Sequence, residues 1–181
     1  MLASRSPRRI EIMRGLGFEF DIDPAPEHLE EDDSHDDPLQ VAEMLALRKC
    51  IHVAERRASD RVIAADTVVI LDHHVLQKPR DDAEARAFVG RLSGRTHTVV
   101  TGLAVRDNGR TGSGSERTQV TFRVLSPDDI ARYVATGEGR DKAGSYAAQG
   151  LGAGLIRRID GCFFNVVGLP VALLLDLLQQ G

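Results

Sequence analysis

Apolar positions recur at roughly helical spacing from the start of the chain, where Ile10, Ile12, Met13 and Leu16 follow Ser6 and Pro7. Proline suits the first helical position, so the pattern predicts a helix opening near Ser6 or Pro7. From Phe18 to Asp37 the chain begins like a strand, then turns acidic and proline-broken and reads as a loop. Asp36 or Asp37 is expected to cap a second helix with Pro38 at its first position, running to about Arg57 with Ala42, Leu45, Ala46, Cys50 and Val53 on one stripe. Arg61 to Leu71 is a near-continuous apolar run of strand type, interrupted only by Asp66 and Thr67, and Asp72-His73-His74 after it reads as a hairpin turn. Adjacent histidines in a turn point in different directions and make no metal pair.

A further helix is expected over Asp82 to Leu92, closed by Ser93-Gly94. The β-branched runs Thr96 to Val105 and Glu116 to Val124, joined by the glycine-rich stretch Asp107 to Ser115, predict an antiparallel hairpin with a loose tip. Ser126 and Pro127 open a helix to about Thr136. Strand-like runs follow at Gly154 to Ile159 and Cys162 to Val167, and Leu169 to Gln180 reads as a closing amphipathic helix. Alternating helices and strands with hairpins give an α/β class with a mixed β-sheet and flanking helices.

Composition narrows the picture. The 181 residues are 42% hydrophobic and 28% charged, enough to bury one domain or two closely joined lobes. No apolar run reaches the roughly 18 residues a membrane helix needs, and the start lacks a signal-peptide pattern, so no membrane partner and a cytoplasmic location are expected. Cys50 and Cys162 are read as two buried thiols rather than a disulfide or part of a zinc cluster. A net charge of −4 with 4% aromatic residues argues against a nucleic-acid partner. Any anion site must therefore be local.

One such site is suggested by Leu2-Ala3-Ser4-Arg5-Ser6-Pro7-Arg8-Arg9. A helix N-terminus there would offer free N–H groups and a positive dipole end to a phosphate, with Arg8 and Arg9 as forked donors. The competing reading is a helix cap with two solvated arginines. Lys49 falls four residues from both Leu45 and Val53, on or beside the stripe that faces the protein, where an ammonium needs a partner. A lysine snorkelling at the stripe's edge is the alternative. Asp66 lies within an apolar strand, and must be hydrogen-bonded, bind a metal, or sit where the strand opens into a cleft. Lys78 stands just before Pro79. One carboxylate of the acidic loop could serve as a ligand for a hard divalent cation. The glycines at 150, 152 and 154 do not make a dinucleotide fingerprint, because Leu155 takes the place of its third glycine.

LASRSPRR, AADTVV, QKPRD, TFR and DKAGSYAAQG…RRIDG…NVVGLP resemble, in order and spacing and over essentially the whole chain, the Maf family of nucleoside triphosphate pyrophosphatases. The resemblance implies one α/β domain over 1–181, with two lobes around a central cleft, similar to the inosine triphosphatases. It implies hydrolysis between the α and β phosphates, giving a monophosphate and pyrophosphate, with a divalent metal. Magnesium or manganese fits an oxygen-only ligand set. By the same resemblance Asp66 is the catalytic carboxylate and a metal ligand, Ser6, Arg8 and Arg9 belong to the phosphate-binding turn, and Lys49 and Lys78 are the family's lysines. Glu30 matches the second acidic ligand, where the usual Asp-Glu reads Leu29-Glu30, with Glu31 as the alternative. The usual Gly-Lys-Pro reads Gln77-Lys78-Pro79, and the first strand looks clipped at Met1-Leu2, which implies a start upstream.

The motif Gly144-Ser145-Tyr146-Ala147-Ala148-Gln149-Gly150, with Asp66-Thr67, resembles the dTTP and UTP group rather than the sister group acting on 7-methyl-GTP. The Gln149 amide offers a donor and an acceptor that can pair with O4 and N3–H of uracil or thymine, and Thr67 completes the specificity set by resemblance. The resemblance leaves room for a homodimer. A nucleotide-binding regulator of septum formation without turnover is the alternative function, and Asp66 separates the two, since a pure binder gains nothing from a carboxylate facing phosphates unless a metal sits between.

Overall fold

The structure is a computed structural model that describes residues 1–30 and 37–180, apart from the side chains of Glu27, Glu30 and Gln180. The expected ligand role of Glu30 or Glu31, and the alternative cap at Asp36, thus lie outside the described residues. In chain order the elements are α1 (Pro7–Gly15), a 3-10 turn (Glu27–Glu30), α2 (Pro38–Arg56), β1 (Val62–Leu71), β2 (His74–Leu76), α3 (Asp82–Leu92), β3 (Thr96–Asp107), β4 (Arg110–Phe122), α4 (Pro127–Ala135), 3-10 helices at Ala143–Ser145 and Gly150–Leu155, β5 (Ile156–Asp160), α5 (Phe163–Val167) and α6 (Val171–Gln180). The strands form one five-stranded sheet in the order β2-β1-β3-β4-β5. β1 pairs antiparallel with β2 and β4 with β5, and the parallel contacts are isolated bridges from Leu2 to Ile22 and Ile63, so the five-stranded sheet is antiparallel where a mixed one is expected, with helices beside it as the α/β class requires. No helix among the described residues is long and apolar enough to cross a membrane.

The chain divides into two compact units, and the first comprises Met1–Thr67, Thr101–Glu116 and Gly168–Gly181. The strand period of two organises it. Odd-numbered Ile63, Ala65, Leu103 and Val105 pack with Leu2, Met13, Leu169, Leu174 and Leu177, whereas even-numbered Val62, Ala64 and Ala104 pack with Ala46, Cys50, Val53 and Ala54 of α2. Both sheet faces are thus buried, which accounts for a β1 sequence that reads as continuous rather than alternating. Asp37 caps α2, its carboxylate accepting from the Leu39 N–H at 2.9 Å. The second unit, Val68–Val100 and Arg117–Val167, has its own core of Val69, Leu71, Leu76, Val89, Leu92, Val99, Val120, Phe122, Tyr133, Tyr146 and Leu155. Here Ser126 and Asp129 form the capping box that opens α4.

Three further expectations give way. The glycine-rich stretch from 107 is no loose tip: β4 begins at Arg110, and Asn108 and Gly109, with φ of 47° and 82°, make a two-residue hairpin turn. Gly112 and Gly114 are strand residues because α6 lies against them, a Cβ at either position falling 3.3 Å from Leu177 or 3.2 Å from Leu173. The run from Cys162 is not a strand but the single helical turn α5, whose Asn165 is buried and donates from Nδ2 to the Val99 carbonyl (3.0 Å) and the Thr118 hydroxyl (2.9 Å). Those tertiary hydrogen bonds override the strand propensity of Phe and Val. Of the two thiols, Cys50 is buried as expected and its pKa pushed up to about 11 by burial, but Cys162 is only half-buried.

Candidate active site

Strand alternation decides which way the candidate residues of the first unit point. Asp66 shares parity with Val62 and Ala64 and so faces α2, where Lys49 lies one turn from Ala46 and Val53; its ammonium and the Asp66 carboxylate form an ion pair. Both residues are buried, at 6% exposure for Lys49 and 9% for Asp66, so the lysine does not snorkel and the carboxylate is not solvated. Close approach of α2 to the sheet sets this contact. A Cβ on Gly102 of β3 would lie 2.2 Å from the Ala42 carbonyl oxygen, so only glycine lets α2 settle at that depth.

Thr67, next in sequence, faces the opposite side, toward α1. Its hydroxyl accepts from Arg9 Nη2 at 3.0 Å and shares a hydrogen bond of 2.9 Å with the buried hydroxyl of Thr101. Arg9 also donates from Nε to the Gly168 carbonyl (2.8 Å) and from Nη1 to the Ser4 hydroxyl (3.2 Å). Arg9 therefore joins the first turn, the strand and the Gly168 loop. Ser4 accepts from the Ser6 N–H as well, at 3.2 Å. Ser6 is the N-cap of α1, but its own side chain makes no capping bond. The first bond of the helix runs from the Ile10 N–H to the Ser6 carbonyl, so the Arg8 and Arg9 N–H groups precede the helical ladder. The Arg8 side chain is half-buried and makes no hydrogen bond among the described residues. It stays available to an external anion.

The structure thus brings Ser6, Arg8, Arg9, Lys49, Asp66 and Thr67 into the first unit. Lys78 and Gln149 belong to the second, and both are exposed. Tyr146 of the late motif is a core residue rather than a contact: its hydroxyl lies 2.7 Å from His97 Nε2, its ring meets those of His97 and Phe122 edge-on, and burial pushes its pKa up. Thr101 and Gly102 were not singled out from sequence, though their strand parity with Leu103 and Ala104 was a usable signal. Among the described residues no group of three or more His, Cys, Asp or Glu could hold a metal. The Asp66 carboxylate nonetheless fits a hard cation such as magnesium, which takes one or two carboxylates and completes its shell with phosphate oxygens and water.

A buried carboxylate with an ammonium against it, in a unit that also presents a helix N-terminus and a guanidinium, that of Arg8, with no hydrogen bond among the described residues, suits chemistry on a phosphate anhydride. Residues 1–181 match the family described as Maf-like protein, and the chain belongs to that family. Its curated relatives are named more narrowly. The protein of Pyrococcus abyssi, 43% identical with 100% of this chain and 95% of its own length covered, is a dTTP/UTP pyrophosphatase, as is that of Deinococcus radiodurans, 45% identical with 99% and 91% covered. Among solved structures, the Staphylococcus aureus Ham1 protein is similar at a TM-score of 0.46 and 14% identity, over 67% of this chain and 70% of that one.

Proposed function

We propose that the protein hydrolyses dTTP and UTP to the monophosphate and pyrophosphate. The observation that carries this reading is the carboxylate of Asp66, buried in mid-strand and held by Lys49. In the proposed reaction water attacks the α-phosphorus and gives its proton to Asp66, while the bond from that phosphorus to the α–β bridging oxygen breaks and pyrophosphate leaves. Lys49 keeps the carboxylate aimed. Arg8 and the N–H groups opening α1 hold phosphate oxygens, Arg9 keeps Thr67 and the first turn in register, and Lys78 stabilises the departing pyrophosphate. Asp66 and Glu30 would hold a magnesium or manganese ion, which neutralises charge on the phosphates when bound. Gln149 and Thr67 read the base, a polar pairing that leaves donors and acceptors unmatched when the wrong base is present.

The test is pyrophosphate release from each nucleoside triphosphate with magnesium or manganese, together with nucleotide binding. Fastest turnover on dTTP and UTP supports the reading. Tight nucleotide binding with no release of product would favour a regulator that senses nucleotides.

A further inference from the structure

The segment that carries Gln149 is held at nearly every residue except Gln149 itself. The Gly144 N–H donates to the Gln77 carbonyl (3.2 Å), Tyr146 bonds to His97 (2.7 Å), and the Ala147 N–H donates to the Tyr133 hydroxyl (3.1 Å). Beyond Gln149, the carboxylate of Glu138 accepts from two successive N–H groups, Leu151 at 2.9 Å and Gly152 at 2.8 Å. Gln149 is exposed and makes no hydrogen bond among the described residues.

Gln149 stands at the N-cap position of the 3-10 helix Gly150–Leu155, and its side chain does not cap it. The N–H groups two and three residues beyond a cap are those a cap's side-chain oxygen normally takes. Glu138 takes both from a distant point in the chain, with a charged acceptor that outcompetes a neutral amide. Gly150, at φ +69°, leaves room for it: a Cβ there would lie 2.3 Å from Glu138 Oε1. An amide can present its donor and acceptor in either order, so selectivity requires that the backbone beneath it fix its reach.

We propose that Glu138 is the positioning residue for base recognition: it occupies the two N–H groups that would otherwise draw the Gln149 amide back onto the chain, and so keeps that amide turned outward for the pyrimidine edge. The proposal rests on the reading that Gln149 contacts the base. It is tested by kcat and KM for UTP and CTP in the full-length protein and in Glu138→Ala, Glu138→Gln, Gln149→Ala and the Glu138→Ala/Gln149→Ala double variant. Glu138→Ala is expected to lower the UTP-to-CTP ratio of kcat/KM about tenfold, the worth of one misaligned hydrogen bond, chiefly through a higher KM for UTP. Glu138→Gln, with one acceptor left, should fall between, and serves alone if the alanine variant does not fold. In the Gln149→Ala background, adding Glu138→Ala should change the ratio less than about twofold, because both changes act through one amide. Three results overturn the proposal: an unchanged ratio in the Glu138 variants while Gln149→Ala lowers it, effects that multiply in the double variant, or a loss equal for both nucleotides. A Gln149→Ala protein with an unaltered ratio would instead overturn the base-contact reading beneath it.

Discussion

Replacing Asp66 with Asn tests structure and chemistry together. In the folded protein Asp66 and Lys49 are both buried, with side-chain exposures of 12% and 7%. Removing one charge takes the Asp66 carboxylate away from the buried Lys49 ammonium, and loss of one partner of a buried ion pair costs about 3–5 kcal/mol. Asparagine keeps a carbonyl acceptor, so the lower end applies, about 3 kcal/mol. At roughly 2–4 °C per kcal/mol for a chain of this length, the midpoint of thermal unfolding should fall by about 6–12 °C. The ion pair with Lys49 is what makes this substitution costly to the fold. Adding Lys49→Met removes the buried ammonium as well and should recover part of the lost stability without recovering hydrolysis. Calorimetry and pyrophosphate release on Asp66→Asn and the double variant separate the two roles. A loss of stability below about 1 kcal/mol in Asp66→Asn would refute the buried pair, and near-normal turnover in either folded variant would refute Asp66 as the base.

Gly102→Ala should destabilise by at least about 3 kcal/mol in denaturant titration, since the obstructing atoms belong to the backbone of α2 and cannot turn aside, and its residual activity should fall as Lys49 is displaced. Burial holds the His97 imidazole pKa down to about 4, against the ordinary 6.5, so the unfolded chain binds a proton there that the folded chain does not. The associated stability is present above the unfolded value and lost as pH falls toward the folded one. It amounts to about 2 kcal/mol between pH 7 and pH 5, and His97→Gln should flatten that part of the profile. Arg8→Ala should weaken hydrolysis of every nucleotide by a similar factor, because phosphate contacts carry no base information; a selective loss would assign Arg8 to the base instead. Gln149→Glu should erode the preference for dTTP and UTP over CTP, read from kcat/KM ratios.

Helix starts were legible because their chemistry is local: Pro7, Asp37 with Pro38, and Ser126 with Pro127 each stand where the chain turns into a helix. Asp66 was legible as an anomaly, a carboxylate in an apolar strand. Its partner was not, because the meeting with Lys49 depends on how deeply α2 seats on β3, and that depth depends on an unremarked glycine at 102. The glycines of β4 misled for the same reason. Without α6 in view, Gly112 and Gly114 look like a loop, whereas they are spaces left for leucines. Arg9 read as a phosphate donor, and its three nitrogens bond to Gly168, Ser4 and Thr67, groups that no local pattern links to it. Glu138 carries no motif signal, and only the fold shows that it caps a helix twelve residues away.

The most direct test of the account is product analysis of the wild-type protein with UTP and magnesium, run beside dTTP, CTP, GTP, ATP and 7-methyl-GTP. The account predicts UMP and pyrophosphate in equal amounts, with the highest kcat/KM for dTTP and UTP. UDP with inorganic phosphate, no turnover of any nucleotide, or 7-methyl-GTP as the best substrate would contradict it.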